Sequence, residues 1–129
     1  GRLLVLACMG GSLERVRLLL SWHGSNGTGI KLDKVVNKEG VGKNNTMTKP
    51  IDISVAMKHY DIVIFLLKHG GRIEGTPFVR ICEAGDLNVV KSVVKAYDPA
   101  ITGISLKNMI SKMVRQDMKQ LRKFIMIIL

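Results

Sequence analysis

Three stretches of this chain share one pattern: "LACMGGSLERVRLLL" from Leu6, "ISVAMKHYDIVIFLL" from Ile53 and "RICEAGDLNVVKSVV" from Arg80. In each, a short block closes at Gly11, Lys58 or Gly85, and a large residue follows two places on at Leu13, Tyr60 or Leu87. An acidic or amide residue comes next (Glu14, Asp61, Asn88), and then an apolar run. Leu13, Val16, Leu19 and Leu20 recur at the three-and-four spacing of one helical face, while Leu3, Leu6, Ala7 and Cys8 line a shorter helix before them. The pattern predicts two helices joined by a tight turn, repeated along the chain. One such pair has too little surface to bury its own apolar side, so the pairs must stack. That restricts the chain to a repeat architecture, an all-α solenoid.

These residues resemble the ankyrin repeat. The first stretch carries its pattern through Ala7, Gly11, Leu13, Glu14, Val16, Leu18, Leu19 and Leu20. "KPIDISVAMKHYDIVIFLLKHGGRI" carries it through Pro50, Ile51, His59, Asp61, Ile62, Val63, Leu66, Leu67, His69 and Gly70. "TPFVRICEAGDLNVVKSVV" does so through Thr76, Pro77, Phe78, Cys82, Gly85, Leu87, Val89 and Val90, so the match covers roughly residues 1–97. Thr76 before Pro77 reads as an N-cap followed by a first-turn proline, and Gly70 stands where a second helix should stop. Lys58 replaces the inter-helix glycine, so its turn needs strained backbone or another geometry. Ser54 replaces a small apolar residue, and Asp52 and Val79 stand where the family has histidine, so the hydrogen bond of that histidine is expected to be missing. His69 is expected to cap or pack at its helix end, and Trp22, beside His23, to cover the edge of the stack or to anchor a neighbouring loop.

A degenerate fourth pair follows, with Leu106, Met109, Ile110 and Met113 on one helical face and Met118, Leu121, Phe124, Ile125 and Ile128 on another. Lysines and arginines between these positions suit a terminal unit with one wet face. The expected organisation is one domain over 1–129: a first repeat at about 1–24, an insertion at about 25–49, repeats at about 50–73 and 74–98, and a capping repeat at about 99–129. About four stacked helix-turn-helix units and one long hairpin or loop insertion result.

Spacing locates the insertion. Gly11 to Lys58 is 47 residues and Lys58 to Gly85 is 27, against a family period of about 33. The first connection is therefore about 14 residues too long, and it contains "NKEGVGKNNT". A phosphate loop needs glycine, four residues, glycine and lysine, then a hydroxyl residue, but Asn37 takes the first glycine position and Asn44 the hydroxyl position. A mobile, basic hairpin finger fits better, and shortening it is expected to leave the stack folded.

Lysine and arginine number 20 against 10 acidic residues, for a net charge of +10. Residues 1–24 carry +2, 25–49 carry +3, 50–104 balance, and 105–129 carry +5. No apolar run is long enough to span a membrane. Cys8 and Cys82 occupy equivalent places two layers apart, about 20 Å at roughly 10 Å per layer, too far for a disulfide. They read as buried thiols of a reducing, intracellular setting, cytoplasmic or nuclear. No activated nucleophile, acid–base pair or metal set stands out, so neither catalysis nor a cofactor or metal is expected.

The resemblance implies a protein-binding module whose partner lies on a concave strip, here Met9, Gly10, Ala56, Met57, Glu83 and Ala84. The finger, through Lys31, Lys34, Lys38, Lys43 and Lys49, would add a basic rim. Two other readings stand beside this one: electrostatic binding to nucleic acid or an acidic membrane surface through the finger and the C-terminal basic residues, and a regulatory fragment of a larger enzyme or receptor. The chain is expected to be a monomer or to self-associate weakly.

Overall fold

Ser12 accepts a hydrogen bond at Oγ from the Arg15 amide (3.3 Å), which satisfies one of the unpaired amides at the start of the helix that follows. Local signals of this kind divide the chain into short helices, and in the computed structural model, which describes residues 2–25, 31–73, 75–84 and 87–96, the chain is mostly helical. In order, the elements are α1 (Arg2–Gly10), α2 (Leu13–Ser25), α3 (Leu32–Asn37), β1 (Gly40–Val41), β2 (Met47–Thr48), α4 (Pro50–Ala56), α5 (Tyr60–Lys68), α6 (Gly75–Glu83) and α7 (Leu87–Ala96). Among the described residues, β1 and β2 form the only sheet, antiparallel with Gly40 opposite Thr48 and Val41 opposite Met47.

The turns closing α1 and α4 share their geometry. Gly11 has φ 81° and Lys58 φ 61°, both left-handed. The His59 amide donates to Ser54 O (2.8 Å) and the Lys58 amide to Val55 O (3.0 Å), the pair of bonds that closes a helix through a left-handed residue. Helix α5 ends the same way: Gly70 has φ 90°, and the Gly71 amide donates to Leu66 O at 2.8 Å. A side chain on Gly71 would put its Cβ 2.6 Å from both Leu66 O and Ile51 Cδ1, so only glycine fits. His69 donates from Nδ1 to Phe65 O (2.8 Å) and stacks at a tilt on the Phe65 ring, which makes it the packed helix end that the sequence implied. Thr76, by contrast, is not an N-cap, since α6 begins at Gly75. Pro77 is still tolerated, because first-turn amides have no partner within the helix.

Helix α1 packs on α2, α4 on α5 and α6 on α7, and each pair packs on the next, α1 against α4 against α6 in one row and α2 against α5 against α7 in the other. The core runs through both rows: Val5, Cys8, Val16, Ile51, Ile62, Val63, Leu66, Phe78, Ile81, Cys82, Val90 and Val93 are all at least nine-tenths buried. Each fully buried aliphatic or aromatic side chain contributes about 1.5–3 kcal/mol, so the shared faces supply most of the stability. Ser54 is buried among them, with its Oγ donating to Pro50 O at 2.7 Å, so the polar replacement is satisfied within its own helix. Arg17 of α2 also lies over the Phe65 ring of α5, 5.5 Å from its centre. The expected fourth pair, over 99–129, lies outside the described residues.

The insertion departs from the expected finger. Residues 32–37 form α3, which packs against α4 and α2 and buries Val35 and Val36. Asn37 then ties it down: its Nδ2 donates to Asp33 O (2.6 Å) and Gly70 O (2.9 Å), and its Oδ1 accepts from the Arg72 amide (2.7 Å). One amide thus joins the insertion to the end of α5, 33 and 35 residues away. At about 1 kcal/mol per bond, with Gly70 O left buried if the bond is lost, removal of this clamp costs roughly 2–3 kcal/mol. Among the described residues of the insertion, the tip at 42–46 keeps the expected turn character. Shortening the connection through α3 therefore removes part of the core.

Lys58 and Gly11 make a matched pair for testing the turn. A left-handed non-glycine residue costs roughly 1–2 kcal/mol, and glycine's extra freedom in the unfolded chain costs about 0.4–1 kcal/mol, so Lys58→Gly should stabilise by about 0.5 kcal/mol. Gly11→Ala should destabilise by well over 1 kcal/mol, because its Cβ would also lie 2.7 Å from the His59 ring. Urea denaturation midpoints measure both.

Candidate functional site

The residues of the expected strip fall at the close of the first helix of each pair. Met9 and Gly10 end α1, Ala56 ends α4 with Met57 after it, and Glu83 ends α6 with Ala84 after it. The turns of the first two pairs are neighbours, since the His59 ring sits against Gly11. Helix α4 packs against both α1 and α6. Gly10, Ala56, Met57, Glu83 and Ala84 are exposed, whereas Met9 is half-buried against the core. The strip is therefore small, nearly uncharged and open, with Met57 its largest exposed apolar side chain, 40% accessible.

The five lysines of the insertion do not form a single finger. Lys31 precedes α3, Lys34 lies on it, Lys38 follows it, Lys43 is at the hairpin tip, and Lys49 precedes α4. The first four are exposed and Lys49 is half-buried. The segment once resembling a phosphate loop is this tip: Lys43, Asn44 and Asn45 form one 3-10 turn, with Asn44 at φ 60° and Asn45 at φ 58°. Asparagine tolerates that conformation better than most residues, and no helix starts there to offer its amides to a phosphate. The strand β1 lies against α1, so the hairpin borders the first pair.

The two cysteines are thiols buried in α1 and α6. Burial pushes Cys8 up to about 11, against a smaller opposing effect of a hydrogen bond with Ser54. Burial, reinforced by the neighbouring Glu83 carboxylate, pushes Cys82 up to about 12. Neither is poised as a nucleophile, because the thiolate is the reactive form.

A second feature was not singled out by the sequence pattern. Leu3, Leu6, Leu18 and Trp22 are 69%, 40%, 63% and 55% exposed, unusual for large apolar side chains on two short helices. They line two adjoining hollows that share Leu3 and Leu19. One, of about 570 Å³, lies between α1, the end of α2 and Val35 of α3, and the other, of about 400 Å³, lies between α1 and the middle of α2. Trp22 meets the His23 ring edge-on, centres 5.2 Å apart, and is not sealed over the stack. The signal available in the sequence was the extra leucines Leu3, Leu6 and Leu18, which exceed what one helical face requires.

No family model, no curated protein and no solved structure matches this chain. Among the described residues, no helix is long and apolar enough to cross a membrane.

The cysteine shifts give a pH prediction. Both pKa values are raised above the ordinary 9.0, so folding favours the protonated thiols. Their contribution is fully present below about pH 9 and is lost as pH rises towards 11 and 12. At pH 8 both should resist iodoacetamide in the native protein and alkylate readily in urea. Rapid native labelling of either would contradict the burial.

Proposed function

We propose that this chain is a protein-binding module of the ankyrin type, a solenoid of stacked helix pairs that presents the strip of Met9, Gly10, Ala56, Met57, Glu83 and Ala84 to a protein partner. The observation that carries this reading is the exposure of Gly10, Ala56, Met57, Glu83 and Ala84 at the ends of the first helices, with a left-handed residue, Gly11 or Lys58, in the turn after each of the first two. A strip held by packed helices loses little conformational freedom on binding, which favours affinity from a modest area. The unbranched thioether of Met57 adapts to irregular partner surfaces. The hairpin beside α1 carries exposed Lys43, and exposed Lys34 and Lys38 add positive charge that speeds encounter with acidic partners.

The reading is tested by capturing partners from a cell extract with the full chain and with Ala56→Arg/Met57→Asp/Ala84→Arg, all exposed positions. Proteins bound through the strip should fall by about tenfold or more, the scale of losing a binding hot spot, while helicity and melting temperature stay unchanged. Undiminished capture would overturn the proposal. Loss only with Lys34→Glu/Lys38→Glu/Lys43→Glu, with a steep salt dependence, would assign recognition to the basic insertion instead.

A further inference from the structure

Three methionines lie among the described residues, each in different surroundings. Met9 is half-buried against the core, Met47 on β2 is 59% exposed, and Met57, in the turn after α4, is 40% exposed. Met57 is anchored by its backbone, whose amide donates to Ile53 O (3.0 Å), and its side chain is not among those packed on the core. An oxygen added to its sulfur has solvent to enter, whereas one added to Met9 would lie against buried apolar side chains, where an unpaired polar atom is costly.

The thiols, ordinarily the first groups to take an oxidant, are out of its reach. Cys8 and Cys82 are fully buried, and burial pushes them up to about 11 and about 12, so little of the reactive thiolate exists at neutral pH. Among the described residues, the sulfurs open to an oxidant are therefore the thioethers of Met47 and Met57. Of the two, Met57 belongs to the strip and Met47 does not.

We infer that Met57 is a site of reversible oxidation by peroxide, and that its sulfoxide switches the strip off. The Met57 sulfur attacks one peroxide oxygen, the O–O bond breaks and an S–O bond forms; the departing hydroxide takes the proton from the transferred oxygen and leaves as water. The thioether loses two electrons and the peroxide gains them. The return step consumes two thiols of a sulfoxide reductase, which become a disulfide while the oxygen leaves as water. The inference rests on the strip reading above, because the switch acts by turning the strip's largest exposed apolar side chain into a polar, chiral one.

The full chain is treated with graded hydrogen peroxide at neutral pH, mapped by peptide mass spectrometry, and compared with the untreated chain in circular dichroism and in capture from a cell extract. Met57 and Met47 should be oxidised while Cys8 and Cys82 remain free thiols and Met9 lags behind. Capture that depends on the strip should fall by about tenfold once Met57 is fully sulfoxide. It should return after incubation with methionine sulfoxide reductase and dithiothreitol. Met47→Leu should respond in the same way, and Met57→Leu, at whatever level it captures, should lose the response to peroxide. Oxidation of either cysteine before Met57, or a loss of helicity that Met57→Leu prevents, would overturn the inference. Undiminished capture by a chain whose Met57 is fully sulfoxide would overturn it too, with the strip reading left standing. If Ala56→Arg/Met57→Asp/Ala84→Arg captures as well as the untreated chain, the strip reading fails and the switch fails with it.

Discussion

Burial of the face that each helix pair presents to the next is the contact on which the structure depends. Helices of seven to thirteen residues such as α4, α5 and α2 are marginal alone, and their persistence comes from packing. The rows α1–α4–α6 and α2–α5–α7 place Ile62, Val63, Leu66, Phe78 and Ile81 where neither solvent nor their own pair would shelter them. Everything else described here adjusts to that stacking. A left-handed residue follows both α1 and α4 and reverses the chain into the second helix, and Lys58 holds that conformation at a cost in backbone strain.

The same requirement explains the insertion. A long connection could leave the stack, but α3 lies where Val35 and Val36 can cover α4 and α2, so the segment is drawn into the core. Asn37 fixes its position through an amide that is donor to two carbonyls and acceptor from one N–H, a set of partners that neither aspartate nor leucine could satisfy. Among the described residues of the insertion, the hairpin tip from Lys43 to Thr46 is exposed. In the first pair, by contrast, Leu3, Leu6 and Leu18 are exposed.

Much of this was legible in the chain. The recurrence of Gly11, Lys58 and the large residue two places on marked the helix pairs, and the misfit of lysine at a glycine position foretold the strain at Lys58. Cys8 and Cys82 read correctly as buried thiols. Three features escaped. "LDKVVN" is less than two helical turns long, too short for periodicity to declare a helix. Asn37 was read only as a misfit at the first glycine position of a phosphate loop, because its partners are 33 and 35 residues away and appear only when α5 closes. The start of α6 was misplaced by reading Thr76 as a cap, since a proline in the first turn fits any of several positions. The strip residues were placed by analogy with the repeat, and the exposed Leu3, Leu6 and Leu18 could not be told from core residues because they are as apolar as their buried neighbours.

The central claim is that the insertion is part of the stack and is not a finger attached to it. Native-state amide hydrogen exchange tests this residue by residue. The amides of Val35 (to Lys31 O) and Arg72 (to Asn37 Oδ1) should open with free energies within about 1 kcal/mol of Val63 in α5, as members of one cooperative unit do. Exchange of Val35 and Arg72 at unprotected rates, with Val63 still protected, would show a stack that holds together without its insertion and would contradict the account.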